Sequence, residues 1–278
     1  MMKPRFPLSD VIVRKVKTNR KVEKPEYADN LWQMNQTEFA MQIEGVGSFY
    51  ACNGKEVEYS PEPGAANRTV ELYLNGSVYG AILHQRQILP LHGSSFIHSG
   101  NAVLICGESG AGKSAIVADF CLNGNEFLTD DVTPVIIEEN KPYILTLSDR
   151  LKLWGNTLEQ LGIDKNQLNR IDDETDKYYY RFKKSAGKKV LLKMILILEI
   201  HDKSGLEFKE VTGAEKFLKL RNEIYRPEYL QGMKENEKVF FRQISALSNN
   251  LNIFNVMRPG NIEISRMRSE IENYINQR

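Results

Sequence analysis

Cysteine is scarce in this chain, with Cys52, Cys106 and Cys121 the three among 278 residues. The number is odd and the spacings are unpaired, which argues against a disulfide framework or a zinc site and points to a reduced, cytoplasmic setting. Long apolar runs are missing as well. The longest, Val190 to Ile200, is interrupted by Lys193 and falls far short of the roughly 20 residues a membrane helix needs. It reads as a core strand, and no membrane association is expected. The start, MMKPRFPLSD, has basic residues with no apolar stretch behind them, so it is not read as a secretory signal. Neither sign of charge dominates: 37 Lys and Arg against 36 Asp and Glu leave a formal +1, which gives a nucleic-acid partner no support. No internal repeat is visible. With 41% hydrophobic and 26% charged residues, the composition is that of a globular protein long enough for one large domain or two smaller ones.

What is present centres on Asn101 to Asp131. Gly107-Glu108-Ser109-Gly110-Ala111-Gly112-Lys113-Ser114 is a full G-x-x-x-x-G-K-[ST] phosphate-binding loop. Ala102 to Cys106 before it suits a buried strand, and Ser114 to Leu122 after it has apolar residues at helical spacing. The glycines allow a sharp turn that brings backbone N–H groups against phosphates, and the helix aims its positive end at the same anion. Lys113 would reach the β- and γ-phosphates of ATP, and Ser114 would place its hydroxyl on Mg2+. Asp130 and Asp131 follow 17 and 18 residues beyond Lys113. One acid could hold metal while the other accepts a proton from a substrate hydroxyl. A longer apolar run commonly precedes the acid of a second nucleotide motif, and here only Phe127 and Leu128 qualify. By themselves the two aspartates would read as a solvated turn; the loop upstream favours the functional reading.

Along the rest of the chain, Lys3 to Lys24 holds eight Lys or Arg and two acids, a solvated arm or a docking tail. Phe39–Ile43 and Gly47–Cys52 are β-like, and Asn53-Gly54 is a hairpin turn signal. Residues 1–87 are therefore expected to form a small β-rich module with a basic arm, and residues 88–278 the catalytic domain. Val70 to Leu83 fits a helix despite Gly76 and Gly80. Val132–Ile137 and Tyr143–Leu147 suggest a hairpin. Arg150 could neutralise transferred phosphate or make a plain surface ion pair. The basic residues from Lys177 to Lys189 are a solvated loop and hairpin rim, or a segment that closes over phosphate. Lys189–Ile200 and Leu206–Val211 read as strands joined at 201–205. Helices are expected over Ala214–Leu220, Val239–Leu251 and Ile262–Ile275, with a last strand at Asn252–Val256. His92 alone would be an ordinary structural histidine.

Taken together, LHQRQILPLHGSSF at 83–96, the loop at 107–114, LTDDVTPV at 128–135, LKLW at 151–154 and RNEIYRP at 221–227 resemble the HPr kinase/phosphorylase superfamily. The resemblance runs from about Gly45 to the C-terminus and is nearer the HPr-kinase-related proteins, including those that phosphorylate lasso-peptide precursors. It implies an α/β fold: a P-loop kinase core of the HPr kinase/PEP carboxykinase-like type with a mixed β-sheet, plus the small N-terminal module. It also implies ATP and Mg2+ as cofactors and a serine or threonine hydroxyl of a peptide or protein as acceptor. Family members are often oligomeric, so a homo-oligomer is among the implied partners. By this resemblance His92 would support the active-site acid, Asp130 would be the base, and Asp131 would join Ser114 at magnesium, with the two aspartates open to exchange. Arg226 or Arg150 would contact phosphate. No good copy is present of the glutamate- and arginine-containing signature that bifunctional members carry, which speaks against phosphorolysis and against HPr itself as substrate. Two other readings stay open: a kinase of a small hydroxylated metabolite, and a nucleotide-dependent sensor without catalysis.

Overall fold

Along Glu56–Pro61 the side chains alternate in burial, with Val57 and Tyr59 buried and Glu56 and Glu58 less so, the two-residue period of a strand covered on one face. A computed structural model describes residues 6–18, 20–146, 149–182 and 189–278. Its N-terminal strands are β1 (Ile12–Lys15), β2 (Tyr27–Ala28), β3 (Trp32–Met34), β4 (Glu38–Ile43), β5 (Gly47–Cys52) and β6 (Glu56–Pro61). They form a sheet in the order β1-β6-β5-β4-β3-β2, antiparallel except for β1 beside β6. Asn53 and Gly54, both at positive φ, make the tight β5–β6 turn as expected. Part of the basic N-terminal stretch is not a free arm. Ile12–Lys15 pair with β6, and Arg20 meets Glu56 and Glu58, so local basic charge is balanced by acids on the neighbouring strand. Lys3 and Arg5 lie outside the described residues.

The helix expected at Val70–Leu83 exists in three pieces: α1 (Asn67–Tyr73), a π-helical turn at Leu74–Val78, and α2 (Tyr79–Gln85). Gly80 sits where the Tyr225 ring packs; a Cβ there would come within 2.9 Å of that ring. The chain divides into two compact units, and the division is not a single cut. The first unit comprises residues 1–90, 170–175 and 224–243; the second comprises 91–169, 176–223 and 244–278. Residues 224–243 belong to the first because they supply Tyr225, Tyr229, Met233 and Phe240, all buried, with Tyr229 packed against Trp32, Phe39 and His84.

The second unit is built from β7 (Leu89–His98, from Leu91 onward), β8 (Asn101–Gly107), α3 (Lys113–Leu122), β9 (Glu126–Thr129), β10 (Val132–Glu138), β11 (Lys141–Leu145), β12 (Arg150–Trp154), α4 (Gly155–Gln160), the first residue of β13 (Asn169–Arg170), β14 (Lys177–Arg181), β15 (Lys189–His201), β16 (Glu207–Glu210) and α5 (Ala214–Asn222). It is completed by the C-terminal part of α6 (Glu235–Asn250), by β17 (Asn252–Pro259) and by α7 (Ile264–Asn276). Among the described residues, an eight-stranded mixed sheet runs β11-β10-β7-β8-β15-β17-β16, with β9 on β7. β8, β15 and β17 lie parallel and are apolar almost throughout, as strands covered on both faces are. Phe96 stacks on Phe120 at 4.2 Å in a core shared by α3, α7, β8, β12, β15 and β17.

One expectation changes here. Lys177–Arg181 is not a loop rim but strand β14, paired with β12; its tyrosines Tyr178 and Tyr180 pack on the core and hold it there. Lys183, Lys184 and Lys188 lie outside the described residues. The strand expected at Leu206–Val211 is β16, and it pairs with β17. No described helix is long and apolar enough to cross a membrane.

Candidate phosphate and proton-transfer site

β8 ends at Gly107, whose φ of 127° is available to glycine and not to a residue with a side chain; a Cβ there would lie 2.4 Å from the Leu198 carbonyl oxygen. Gly112, at φ 98°, caps the start of α3. Glu108, Ser109 and Gly110 are exposed and Ala111 is buried. Lys113 folds back over the loop, and its Nζ donates to the carbonyls of Gly107 at 2.7 Å and Glu108 at 3.0 Å. Burial holds the Lys113 ammonium below its ordinary pKa. The first N–H groups of α3 have no partner within the helix, so a preformed anion cradle and a cation stand together.

Asp130 and Asp131 fill the tight turn between β9 and β10, where the Val132 N–H bonds the Asp130 carbonyl at 2.8 Å. Asp131 has φ 68°, a left-handed conformation costly for a residue with a Cβ. That turn sends the two carboxylates to different partners. Asp130 Oδ1 accepts from Ser94 Oγ at 2.5 Å and from Ser114 Oγ at 2.8 Å, and Oδ2 accepts from the Lys152 N–H at 2.8 Å. Asp131 Oδ2 takes the Lys152 ammonium at 2.7 Å. Its carbonyl lies 3.1 Å from His92 Nδ1; a carbonyl only accepts, so Nδ1 carries the proton. Ser114 therefore meets Asp130, where the resemblance pairs it with Asp131.

The electrostatics divide in the same way. Burial, followed by the neighbouring Asp131 charge, pushes the Asp130 carboxyl above the ordinary range. Burial also opposes charge on Asp131, but Lys152 and His92 outweigh it and hold that carboxyl at about 2. His92 itself is held below its ordinary value by burial, against the opposing pull of the Asp131 carboxylate.

These groups line a cavity of about 650 Å³ that also takes in Trp154, Asn156, Arg258, Ile262 and Met267. Lys113, Ser114, Asp130, Asp131 and His92 are thus brought together. Arg150 is not; its guanidinium lies 4.6 Å from the centre of the ring of Tyr179, two residues along β14 from its strand partner Arg181. Arg226 belongs to the first unit, where it donates to Ser77 and Glu228. Four further residues had no assigned role. Ser94 and Lys152 lie in segments already singled out, and Lys152 is polar between buried Leu151 and Leu153, an alternation that marks an outward strand position. Glu223, whose carboxylate accepts from the Gly107 N–H at 3.2 Å, likewise lies in the RNEIYRP segment at 221–227, whereas Arg258 carries no local signal.

Among the described residues no three His, Cys, Asp or Glu side chains form a metal cluster. The donors present, Ser114 and Asp130, suit magnesium, which binds through one or two carboxylates and completes its shell with phosphate oxygens and water. No family model and no curated protein sequence matches this chain. Among solved structures it is similar to the HPr(Ser) kinase/phosphatase from Coxiella burnetii, at 12% identity and a TM-score of 0.35, covering 68% of this chain and 91% of that one. This is a distant structural relation and decides nothing about activity.

Proposed function

We propose that the second unit is an ATP- and Mg2+-dependent phosphotransferase that phosphorylates a serine or threonine hydroxyl of a peptide or protein. The observation that carries this reading is the Ser114–Asp130 hydrogen bond, because it joins the phosphate loop to the acid pair within one cavity. Lys113 leaves its two carbonyl partners for the β- and γ-phosphates, and the loop N–H groups hold the same oxygens. A magnesium ion bound by Ser114, Asp130 and phosphate oxygens would neutralise charge on the group being transferred.

The roles of the aspartates are proposed in the order opposite to that implied by the resemblance. Asp130 already touches the loop hydroxyl and serves the ion. Asp131, on the cavity wall and held ionised by Lys152, receives the acceptor hydroxyl. The acceptor oxygen bonds to the terminal phosphorus, the bond from that phosphorus to the ADP oxygen breaks, and the hydroxyl proton passes to Asp131. Phosphoryl transfer asks chiefly for position and charge, so a carboxylate with a low pKa suffices. His92 fixes the Asp131 turn through its carbonyl. Trp154, 45% exposed at the cavity, supports a peptide acceptor, since exposed aromatics are frequent anchors of such contacts. Three cysteines free of disulfides support a reducing, cytoplasmic setting.

Incubation with terminally labelled ATP, magnesium and hydroxyl-bearing peptides tests the reading. Label should appear on serine or threonine; nucleotide binding without transfer to any acceptor would instead favour the sensor.

A further inference from the structure

Arg258 stands at the end of β17, 8% exposed, and lines the cavity beside the phosphate loop. Its guanidinium bonds go to carbonyl oxygens. Nε donates to Ala111 at 2.7 Å, Nη1 to Pro259 at 2.8 Å and Gly260 at 3.3 Å, and Nη2 to Gly110 at 3.4 Å. No salt bridge to a carboxylate is formed by this arginine among the described residues. Arginines this deeply buried are ordinarily paired with an acid, since an unbalanced charge away from water is costly. Carbonyl dipoles satisfy the N–H groups but leave the positive charge in place.

The position of the bonds gives that charge a use. A loop that cradles phosphate must point N–H groups inward and carbonyls away. Arg258 holds the carbonyls of Gly110 and Ala111, at the centre of the motif, and a planar fork can grip two such oxygens at once where an ammonium cannot. At Gly112 the same guanidinium is the nearest neighbour, with Nη2 3.5 Å from where a Cβ would stand.

We infer that Arg258 is the positioning residue of the phosphate loop, tying its carbonyls back from the cavity, and that a bound polyphosphate is its missing counter-ion. The inference rests on the phosphate-binding part of the proposed function and not on transfer to any acceptor. Loop shape and ligand charge are thereby coupled: the anion relieves the buried cation, and the cation keeps the cradle in the form that accepts the anion.

Calorimetric titration of the full chain with inorganic pyrophosphate, for wild type, Arg258→Lys and Arg258→Gln, tests this, with folding checked by circular dichroism. Arg258→Gln should lose at least about tenfold in pyrophosphate affinity, the scale of a charge-assisted hydrogen bond. Arg258→Lys keeps the charge without the fork and should lose about threefold or more. A residue that merely filled space would leave the ligand's charge irrelevant. Against that, the loss should shrink from pyrophosphate to monophosphate in Arg258→Gln. If Arg258→Gln does not fold, Arg258→Lys decides: a folded lysine variant with wild-type affinity overturns the inference. Wild type binding pyrophosphate with both variants unchanged removes the role of Arg258 alone, whereas wild type binding no pyrophosphate removes the phosphate site and this role with it.

Discussion

Ser114 Oγ donates to Asp130 Oδ1 at 2.8 Å, so the last residue of the glycine loop and the first of the acid pair act as one polar unit. If a divalent ion enters between them, replacing either partner weakens ion-dependent binding before it touches chemistry. Asp130→Asn should lower magnesium-dependent nucleotide affinity about 10- to 100-fold, and Ser114→Ala about tenfold. Titrations with and without magnesium read this directly. A variant that keeps the full magnesium enhancement moves the ion elsewhere.

Asp131 is predicted to separate from Asp130 in kinetics. Asp131→Asn should bind magnesium nucleotide within a few-fold of wild type and lose transfer by about 10²- to 10⁴-fold. Single-turnover transfer measured beside equilibrium binding distinguishes the two. The reverse pattern, with transfer lost in Asp130→Asn at unchanged affinity, would restore the other assignment.

The two carboxylates also make a prediction in pH. Asp131, held at about 2 by Lys152 and His92 against burial, stays ionised at any working pH and loses its contribution only as pH falls through that value. Asp130 is raised by burial and by Asp131, so it takes up a proton first as pH falls, and magnesium-dependent binding should fail with it. Asp131→Asn removes a negative neighbour, lowers the Asp130 pKa and should carry binding to lower pH. An unmoved midpoint would mean that the pair is not coupled.

His84, fully buried in the first unit, has its pKa lowered by burial to about 4. Its Nε2 donates to the Tyr225 carbonyl at 2.9 Å, and Nδ1 has no hydrogen-bond partner, so a proton added there is unsupported. The unfolded chain binds that proton more readily. Stability is therefore complete above about 6.5 and declines as pH falls towards 4, by on the order of 3 kcal/mol. Denaturant unfolding at pH 7 and pH 5 should show the decline, and His84→Gln should flatten it.

Gly107→Ala tests the close packing beneath the loop. A Cβ would meet the Leu198 carbonyl oxygen at 2.4 Å, in a region of φ that side chains avoid. The cost should exceed about 2 kcal/mol in denaturant unfolding. Gly64→Ala, at φ 86° with nothing within 4 Å, should cost about 1 kcal/mol, and similar losses at both sites would remove the packing argument.

Most of the strands and helices could be read from local pattern, because alternation and helical spacing are properties of neighbouring residues. The β10–β11 hairpin, the Asn53-Gly54 turn and α7 follow that rule. The reading failed at β14, where a run of charges on Lys177 and Arg181 concealed tyrosines that pack inward. The strand β16 was legible in the sequence, but its pairing with β17 is set by the sheet and not by the nearest strand in the chain.

The sequence by itself determined the strand, loop and helix from Asn101 to Leu122, since G-x-x-x-x-G-K-S states its backbone requirements in its own residues. It also marked His92, Asp130 and Asp131. Only the tertiary structure decided which aspartate meets Ser114, that Lys152 holds Asp131, that Arg150 and Arg226 face other partners, and that Arg258 reaches the loop from 147 residues away. The reason is physical: a loop's conformation is encoded locally, whereas the partner of a charge depends on which strands the sheet sets side by side.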